Sequence, residues 1–433
     1  AMPSGEQPPE MPDGQKPGNP PEGGGMMGGP GGGQSSQPES YDAVTTVSGD
    51  TDLSDTTLTS TGADENALLV TDGTAIVTNT TIDRTSADST GGDTSSFYGV
   101  GAAVLTTRGT VSVSDSTITT DAKGGAGVFA YGDGVAMVSN TTISTTQDTS
   151  GGIHVAGGGT LYAKNLTVTT KGESSAAIRS DRGGGTVNVT GGSYTSNGYN
   201  SPAVYSTAAI TVKNTKLTAN NSELLVIEGK NSITLTDCTV SGNMSSTKGA
   251  SSSENVHTVM IYQSMSGDAD VGTSEFSMTG GSLIGKNGDL FYITNTHCIL
   301  TLSGVTLKNE DPDGYLLRVV GNFASHGWGT AGSNGAQVEF TADAQTLEGN
   351  ILVDTISTLD LTLQNGSSFT GTINIVDNAE GGAAVSDNAV VTIGSGCTWT
   401  LTGDCTITSL INNGTINFNG YAITLADGTV LRR

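Results

Sequence analysis

A nine-residue pattern recurs along most of this chain and constrains its fold more than any other feature. In each copy, small or polar residues alternate with apolar ones, and Asn, Asp or Gly usually occupies the sixth position. Such strict alternation is typical of a half-buried β-strand. The copies begin at Thr74, Thr110, Val135, Thr160, Thr186, Ala209, Ser232, Glu275, Ile299 and, less regularly, Gln337.

The spacing of these copies indicates a solenoid. Most successive copies begin 23 to 26 residues apart, and three gaps are longer. A period in the twenties, punctuated by Gly or Asn, matches one turn of a β-solenoid. Each turn then buries its apolar side only against its neighbours. We therefore predict an all-β protein, a single parallel β-helix with three short strands per turn.

The sixth position of the copies predicts a tight corner between two strands. Asn, Asp and Gly are the residues that best tolerate a left-handed backbone, and they fill this position repeatedly. A corner at the same place in every turn would set the cross-section of the solenoid. The nine positions are Asn79, Asp115, Asn140, Asn165, Gly191, Asn214, Asp237, Gly280 and Gly304.

The first 40 residues differ from the rest in composition. Nine of the eleven prolines lie between Pro3 and Pro38, together with two runs of three glycines. Such a segment cannot build a core, so residues 1–40 are predicted to be a flexible tether, or an arm that becomes ordered on a neighbouring subunit. The β-helix domain is predicted to span residues 41–433. A chain that starts in such a linker resembles a mature secreted product, and we expect an extracellular or bacterial cell-surface location.

The charge of the chain excludes several classes of partner. Its formal net charge is -25, which argues against binding to nucleic acid or to an anionic membrane. No run of eighteen apolar residues occurs, so membrane insertion is not expected. The four cysteines have no metal-binding spacing and are predicted to be core or ladder residues; they are Cys238, Cys298, Cys397 and Cys405.

A second strand precedes each nine-residue copy and carries unusual outward residues. Elsewhere the outward positions are mostly Thr, Ser and Asn, but here Tyr, Arg, Glu and His are expected to form one column. Parallel strands lie about 4.8 Å apart, so the column would span roughly 30 Å, the size of an oligosaccharide. Tyrosine offers an apolar face to sugar C–H groups, and charged groups bond their hydroxyls.

Long connections follow Arg179, Tyr262 and Arg318, and the last of them carries Trp328. Loops of this kind on a rigid scaffold often form binding surfaces. We therefore predict a non-catalytic polysaccharide-binding surface, with the alternative that the column has no ligand. Its residues would be His154, Arg179, Tyr205, Glu228, Tyr262, Tyr292, Arg318 and Trp328.

Calcium is the candidate cofactor. Its candidate ligands are Asp181, Asp268 and Asp270, because calcium takes several oxygen ligands and an Asp-Ala-Asp pair beside glycine provides two. The spacing of an EF-hand is absent, and solvated turn acids are the alternative. The four histidines are scattered at no zinc spacing.

The segments SAAIRSDRGGGTV, SPAVYST, VIEGKNS and VMIYQSMSGDADVG carry a family resemblance. The chain resembles the right-handed parallel β-helix of the pectate-lyase-like superfamily over about residues 45–430. More narrowly, it is similar to a group of extracellular β-helix proteins of clostridia and related gut bacteria. The resemblance implies a right-handed coil, carbohydrate binding and calcium, and no established enzymatic activity.

Two other functions remain open. A calcium-dependent polysaccharide lyase needs a base and a cationic group beside a uronic acid, and Arg179, Arg182 and Lys230 lie near Asp181 and Glu228 in sequence. A glycosidase needs two carboxylates, and the column offers one strand glutamate.

The structural alternative is a filament subunit, because uncapped helix ends and the N-terminal arm would allow end-to-end self-association.

Overall fold

The computed structural model of the chain describes residues 36–245 and 256–433 and consists mainly of short parallel strands. The predicted tether of residues 1–40 lies outside the described residues except for its last five. No helix among the described residues is long and apolar enough to cross a membrane.

The strands follow one another with few interruptions. The N-terminal strands are β1 (Asp42–Val47), β2 (Thr51–Asp52), β3 (Thr57–Ser60), β4 (Glu65–Val70), β5 (Thr74–Thr78), β6 (Thr81–Ser86), β7 (Val104–Ser114), β8 (Thr117–Ala122), β9 (Val128–Ser139), β10 (Thr142–Thr145), β11 (Ile153–Ala156), β12 (Gly159–Thr170), β13 (Ile178–Ser180) and β14 (Gly185–Ser196). One short helix, α1 (Asp93–Tyr98), precedes β7.

The central strands are β15 (Val204–Ser206), β16 (Ala209–Lys213), β17 (Lys216–Ala219), β18 (Leu225–Glu228), β19 (Ser232–Thr236), β20 (Thr239–Gly242), β21 (His257–Tyr262), β22 (Thr273–Thr279), β23 (Ser282–Gly285), β24 (Asp289–Thr294), β25 (His297–Ser303), β26 (Thr306–Asn309) and β27 (Leu317–Val319). A 3₁₀ turn (Ala324–His326) follows β27.

The C-terminal strands are β28 (Gln337–Asp343), β29 (Thr346–Glu348), β30 (Ile351–Asp354), β31 (Thr358–Gln364), β32 (Ser368–Thr370), β33 (Ile373–Val376), β34 (Ala389–Ile393), β35 (Thr398–Thr400), β36 (Cys405–Ile407), β37 (Ser409–Asn412), β38 (Thr415–Asn417), β39 (Ile423–Leu425) and β40 (Val430–Leu431). The last of these pairs antiparallel with β39.

Each coil contributes one strand to each of three faces, as the repeat predicted. The first face runs from β1 and β4 through β11, β13, β15, β18, β21, β24 and β27 to β39. The second face includes β5, β16, β19, β22 and β25, and the third includes β6, β8, β10, β17 and β20. The longest strands, such as β12 and β14, turn from the second face into the third.

The core forms because alternate residues of every strand point inward and stack on the same position of the next coil. One such column on the second face contains Val111, Ala136, Leu161, Val187 and Ile210. All five are buried, and they belong to one continuous apolar cluster. Small and β-branched residues fill most of this interior, but it also accommodates large rings such as Tyr194, Phe276 and Trp399.

The corner prediction is confirmed. All nine positions between the second and third faces have a left-handed backbone, with φ between 46° and 71°. Asn, Asp and Gly recur there because other residues with a Cβ are strained in this conformation. The four cysteines are likewise buried and unpaired, as predicted.

The outer side of the first face is covered by connecting segments. Residues 87–103, which include α1, cover its N-terminal part, and residues 181–184, 263–272 and 320–336 lie between later strands. The last three are the long connections that the sequence placed after Arg179, Tyr262 and Arg318. These segments give the protein a layer of side chains outside the coil.

Candidate functional site

The outward residues of the first face form two columns, and the structure corrects the predicted register. The first column contains Phe129, His154, Arg179, Tyr205, Val226, Met260, Tyr292 and Arg318. Glu228 and Tyr262, which we placed in it, lie two residues further along their strands and pair with each other in the second column. The strands that contain them are long apolar runs, so the sequence does not show which residues point outward.

The structure also corrects the expectation of an exposed strip. His154, Arg179, Tyr205, Glu228, Tyr262 and Tyr292 point away from the coil but are buried, and Trp328 is only 8% exposed. Arg318 is half-buried. The connecting segments cause this burial, because they fold across the face and contact the side chains directly. Carbohydrate binding by these residues stays a prediction.

A buried ion-pair group occupies the N-terminal part of the face. Asp181 accepts hydrogen bonds from Arg179 Nε at 2.8 Å, and its Oδ2 atom lies 2.6 Å from His154 Nε2. The other nitrogens of Arg179 donate to the Ser174 carbonyl and, at 2.8 Å, to the hydroxyl of Ser96 in α1. Helix α1 is thus bonded to the face through Ser96.

The electrostatics of this group keep His154 neutral near neutral pH. Burial lowers the pKa of His154 to about 4, although the bond to Asp181 acts in the opposite direction. The imidazole is stacked on Phe129 with 4.0 Å between ring centroids. Asp181 and Arg179 therefore form the charged pair, and His154 is a neutral hydrogen-bonding partner.

A second buried group surrounds Glu228. Its carboxylate accepts hydrogen bonds from the hydroxyls of Tyr205 at 2.6 Å, Tyr262 at 3.3 Å and Ser264. Burial and the nearby charge of Asp268 raise the pKa of Glu228 to about 7. The three hydroxyl donors favour the charged form but do not offset the burial. Glu228 therefore keeps its proton to a higher pH than an ordinary glutamate does.

Asp268 connects the covering segment 263–272 to Arg182. The Nε atom of Arg182 donates to Asp268 Oδ1 at 2.7 Å, and the guanidinium lies 4.4 Å from the ring centre of Phe97 in α1. Burial raises the pKa of Asp268, and the bond to Arg182 opposes this. Arg182 itself keeps 29% of its side chain exposed, so it lies at the edge of the covered region.

The three predicted calcium ligands do not converge on one ion in this conformation. Asp181 is bonded to Arg179 and His154, Asp268 is bonded to Arg182, and Asp270 is exposed. In the part of the chain that the structure describes, no group of three or more His, Cys, Asp or Glu side chains is placed to hold a metal. Calcium binding stays a prediction.

An aromatic cluster covers the C-terminal part of the face. The rings of Tyr262 and Trp328 are 4.7 Å apart, and His326 is stacked on Trp328 at 4.4 Å. His257 is stacked on Tyr292 at 5.0 Å. Tyr205, Val226 and Met260 belong to the same apolar cluster, which is separate from the interior core.

Arg318 lies at the far end of the column. It donates from Nε to Asp289 at 2.7 Å, and its guanidinium lies 4.7 Å from the ring centre of Tyr315. This arrangement repeats that of Arg182, in which one acid and one aromatic ring hold a partly exposed arginine. Both arginines are therefore fixed in orientation.

Sequence reasoning missed several residues of this region, namely Ser96, Phe97, His257, Ser264 and Asp289. Ser96 and Phe97 come from a segment far from the strands in sequence, and nothing local identifies them. His257 and Asp289 begin apolar strands in the same register, and a polar residue at that position is a signal that could have been used.

The bases required by the lyase alternative are only partly available. Arg179 is buried and its nitrogens are bonded to protein groups. Arg182 keeps part of its surface at the edge of the covered region, and Lys230 is exposed. A general base must reach the proton it removes, so Arg179 cannot act in this conformation.

One comparison with known proteins gives a match. Residues 85–264 match the family described as right handed beta helix region. No curated protein and no solved structure matches the chain. The matched residues make up less than half of the chain, and the parallel strands and three faces continue beyond them, so the fold is a right-handed parallel β-helix.

Proposed function

We propose that this β-helix protein binds a neutral polysaccharide without cleaving it, through an open surface on the second face. The observation that carries the proposal is one exposed column, in which Met137 and Tyr162 lie on neighbouring coils and Ile76 lies two coils before Met137. The exposed fractions of Ile76, Met137 and Tyr162 are 44%, 48% and 45%. Ser112 continues the same register between Ile76 and Met137, and Asn188 follows Tyr162.

Most of the residues beside this column carry hydroxyl groups. Thr74, Thr110, Thr160 and Thr186 flank it on one side, and Thr78, Ser114, Ser139 and Thr190 flank it on the other. Val135 and Lys164 occupy the remaining positions of these two rows. We call the column and these flanking residues the open surface. Strand pairing places their side chains about 4.8 Å apart from coil to coil.

The chemistry of the open surface suits a sugar chain. The ring of Tyr162 and the side chain of Met137 offer apolar area to the C–H face of a pyranose. The surrounding hydroxyls both donate and accept hydrogen bonds, as sugar hydroxyls do. Because the protein carries a net charge of -25, repulsion favours a neutral polysaccharide over an acidic one.

The test is depletion of the protein from solution by insoluble cellulose, chitin and xylan. Tyr162→Ala removes the half-exposed ring. If the bound sugar covers about half of this side chain, the contact contributes up to about 1.4 kcal/mol to the binding free energy. The association constant should therefore fall by about tenfold. Tyr421→Ala is the matched control, since Tyr421 is 38% exposed and lies near the C-terminus.

Two results would contradict the proposal. Equal depletion of wild type and Tyr162→Ala would show that the open surface does not bind the polysaccharide. Release of shorter or unsaturated sugars in the same tubes would show that the protein is an enzyme, with Arg182 and Lys230 as the next residues to replace.

A further inference from the structure

The aromatic cluster on the first face is covered by a segment that has few bonds to the rest of the protein. We call residues 320–336 the Trp328 segment. It contains no strand, and its one regular element is the short 3₁₀ turn (Ala324–His326). Its ends are tied to the coil, through Val320 N to the Ile293 carbonyl at 3.2 Å and through the Asn334 carbonyl to Asn295 N at 3.1 Å.

The middle of the segment is held mainly by Trp328. Among the described residues, residues 323–333 make one hydrogen bond to the rest of the protein, from Ala324 N to Glu380 at 3.3 Å. The Trp328 carbonyl accepts bonds from the side chains of Asn322 and Asn334 at 3.0 and 2.9 Å, but both lie in the same segment. A stretch with so few external bonds belongs to the regions that open locally at low cost.

Several buried polar atoms in and around the closed segment make no hydrogen bond within the described residues. Buried polar side-chain atoms are normally hydrogen-bonded. Six exceptions among the described residues lie in or beside the Trp328 segment; they are Nδ1 and Nε2 of His257, Nδ1 and Nε2 of His326, Oδ1 of Asn322 and Oδ1 of Asp354.

These atoms lie either in the aromatic cluster or within or next to the segment that covers it. His257 stacks on Tyr292, and His326 stacks on Trp328. Asp354 accepts from Gly321 N at 2.8 Å, so it lies at the base of the segment. His257 Nε2 is 3.3 Å from Glu223 Oε1 without making a hydrogen bond. His257, Asn322 and Asp354 are each more than nine-tenths buried.

We propose that the Trp328 segment is a lid over a second saccharide site, in which Trp328 and Tyr262 contact a sugar ring and His257, Asn322 and Asp354 bond its hydroxyls. This inference rests on the proposed function for the class of ligand. An apolar ligand would leave the six polar atoms without hydrogen bonds, whereas a sugar brings several hydroxyls that donate and accept. Opening the lid would expose Tyr262, one of the residues that the sequence marked as carbohydrate-binding.

The test uses the soluble fragments cellohexaose, chitohexaose and xylohexaose with the full protein. Hydrogen exchange of residues 323–333 and the fluorescence of Trp328 report on the lid. The other tryptophan, Trp399, is fully buried in the interior core. The fluorescence of Trp328→Phe therefore comes from Trp399 alone and can be subtracted from the fluorescence of the wild type. We expect one of the oligosaccharides to change both readouts.

Variants separate the lid from the open surface. Asn334→Ala removes one of the two hydrogen bonds to the Trp328 carbonyl and the side-chain bonds to the backbone of Asn322. It should raise the apparent affinity for the oligosaccharide by about tenfold, because a larger fraction of molecules has an open lid. Trp328→Ala should lower the affinity, because it removes the sugar contact. Tyr162→Ala should leave the change in Trp328 fluorescence intact.

The two proposals fail in different ways. The lid proposal is wrong if an oligosaccharide binds to the wild-type protein while hydrogen exchange of residues 323–333 and the fluorescence of Trp328 stay unchanged. This measurement uses the wild type alone, so it does not require any variant to fold. A Trp328 response without retention on insoluble polysaccharide supports the lid and contradicts the open surface. If no oligosaccharide gives a response and no polysaccharide retains the protein, both proposals are overturned.

Discussion

Glu228→Gln should change the pH dependence of stability in a way that follows from its surroundings. The Glu228 carboxylate is fully buried, and its hydrogen-bond partners among the described residues are three hydroxyls and no cation. Burial and the charge of Asp268 raise its pKa from 4.5 to about 7. Glutamine has nearly the same shape but does not titrate.

The magnitude follows from the size of the shift. A pKa increase of roughly 2.5 corresponds to about 3 kcal/mol at 1.36 kcal/mol per unit. Between pH values of about 4.5 and 7, the folded protein keeps the Glu228 proton while the unfolded chain has lost it. The free energy of unfolding therefore falls by about 3 kcal/mol as pH rises through this window, and Glu228→Gln should not show this loss.

His154 acts in the opposite direction. Its pKa is lowered from 6.5 to about 4, so between these values the unfolded chain binds more protons than the folded one. The His154 contribution therefore makes the free energy of unfolding rise with pH in that window. The two effects partly cancel in the wild type, but the difference between wild type and Glu228→Gln isolates Glu228.

The assay is urea unfolding of both proteins at several pH values from about 4.5 to 8, which bracket the shift. Circular dichroism and tryptophan fluorescence should give coincident transitions, because only then does one free energy describe unfolding. Glu348→Gln is the control, since Glu348 is exposed. If the free-energy difference between wild type and Glu228→Gln is constant with pH, the burial argument is refuted.

Two further substitutions test the ion pair and the corners. Arg179→Leu should lower the free energy of unfolding by about 3–5 kcal/mol, because Asp181 keeps a buried charge without its cation. The control is Arg108→Ala, since Arg108 is exposed. An equally small loss of stability for both variants in urea unfolding would contradict the prediction. Asn140→Ala should cost about 1–2 kcal/mol because its φ is 46°, while Asn140→Gly should cost less. Equal losses for Ala and Gly would show that the corner conformation does not limit stability.

The coil could be predicted from sequence because its determinants are local. The alternation that begins at Thr110 or Thr160 indicates which residues point inward, and the Asn, Asp or Gly at the sixth position indicates where the chain turns. Each coil repeats both signals, so an error in one copy is corrected by the next. The left-handed backbone at Asn79 and Gly191 follows from the same column.

The surroundings of the outward residues could not be predicted, because they depend on segments with no periodic signal. Nothing near Arg179 in the sequence indicates that Ser96 will bond to it, across 83 positions of chain. The register of Glu228 was missed for a different reason. Its strand, LVIE, is apolar at consecutive positions, so alternation gives no phase there.

The side chains under the Trp328 segment and those inside the coil belong to two separate apolar clusters. The sheet lies between them, since neighbouring residues of one strand point to opposite sides. A change of volume at Met260 or Tyr292 is therefore not transmitted to Ile261 or Ile293, which are adjacent in sequence but face the interior. Such a protein can acquire new surface chemistry by substitution on the outer layer, while the coil that supports it keeps its packing and its capacity to fold.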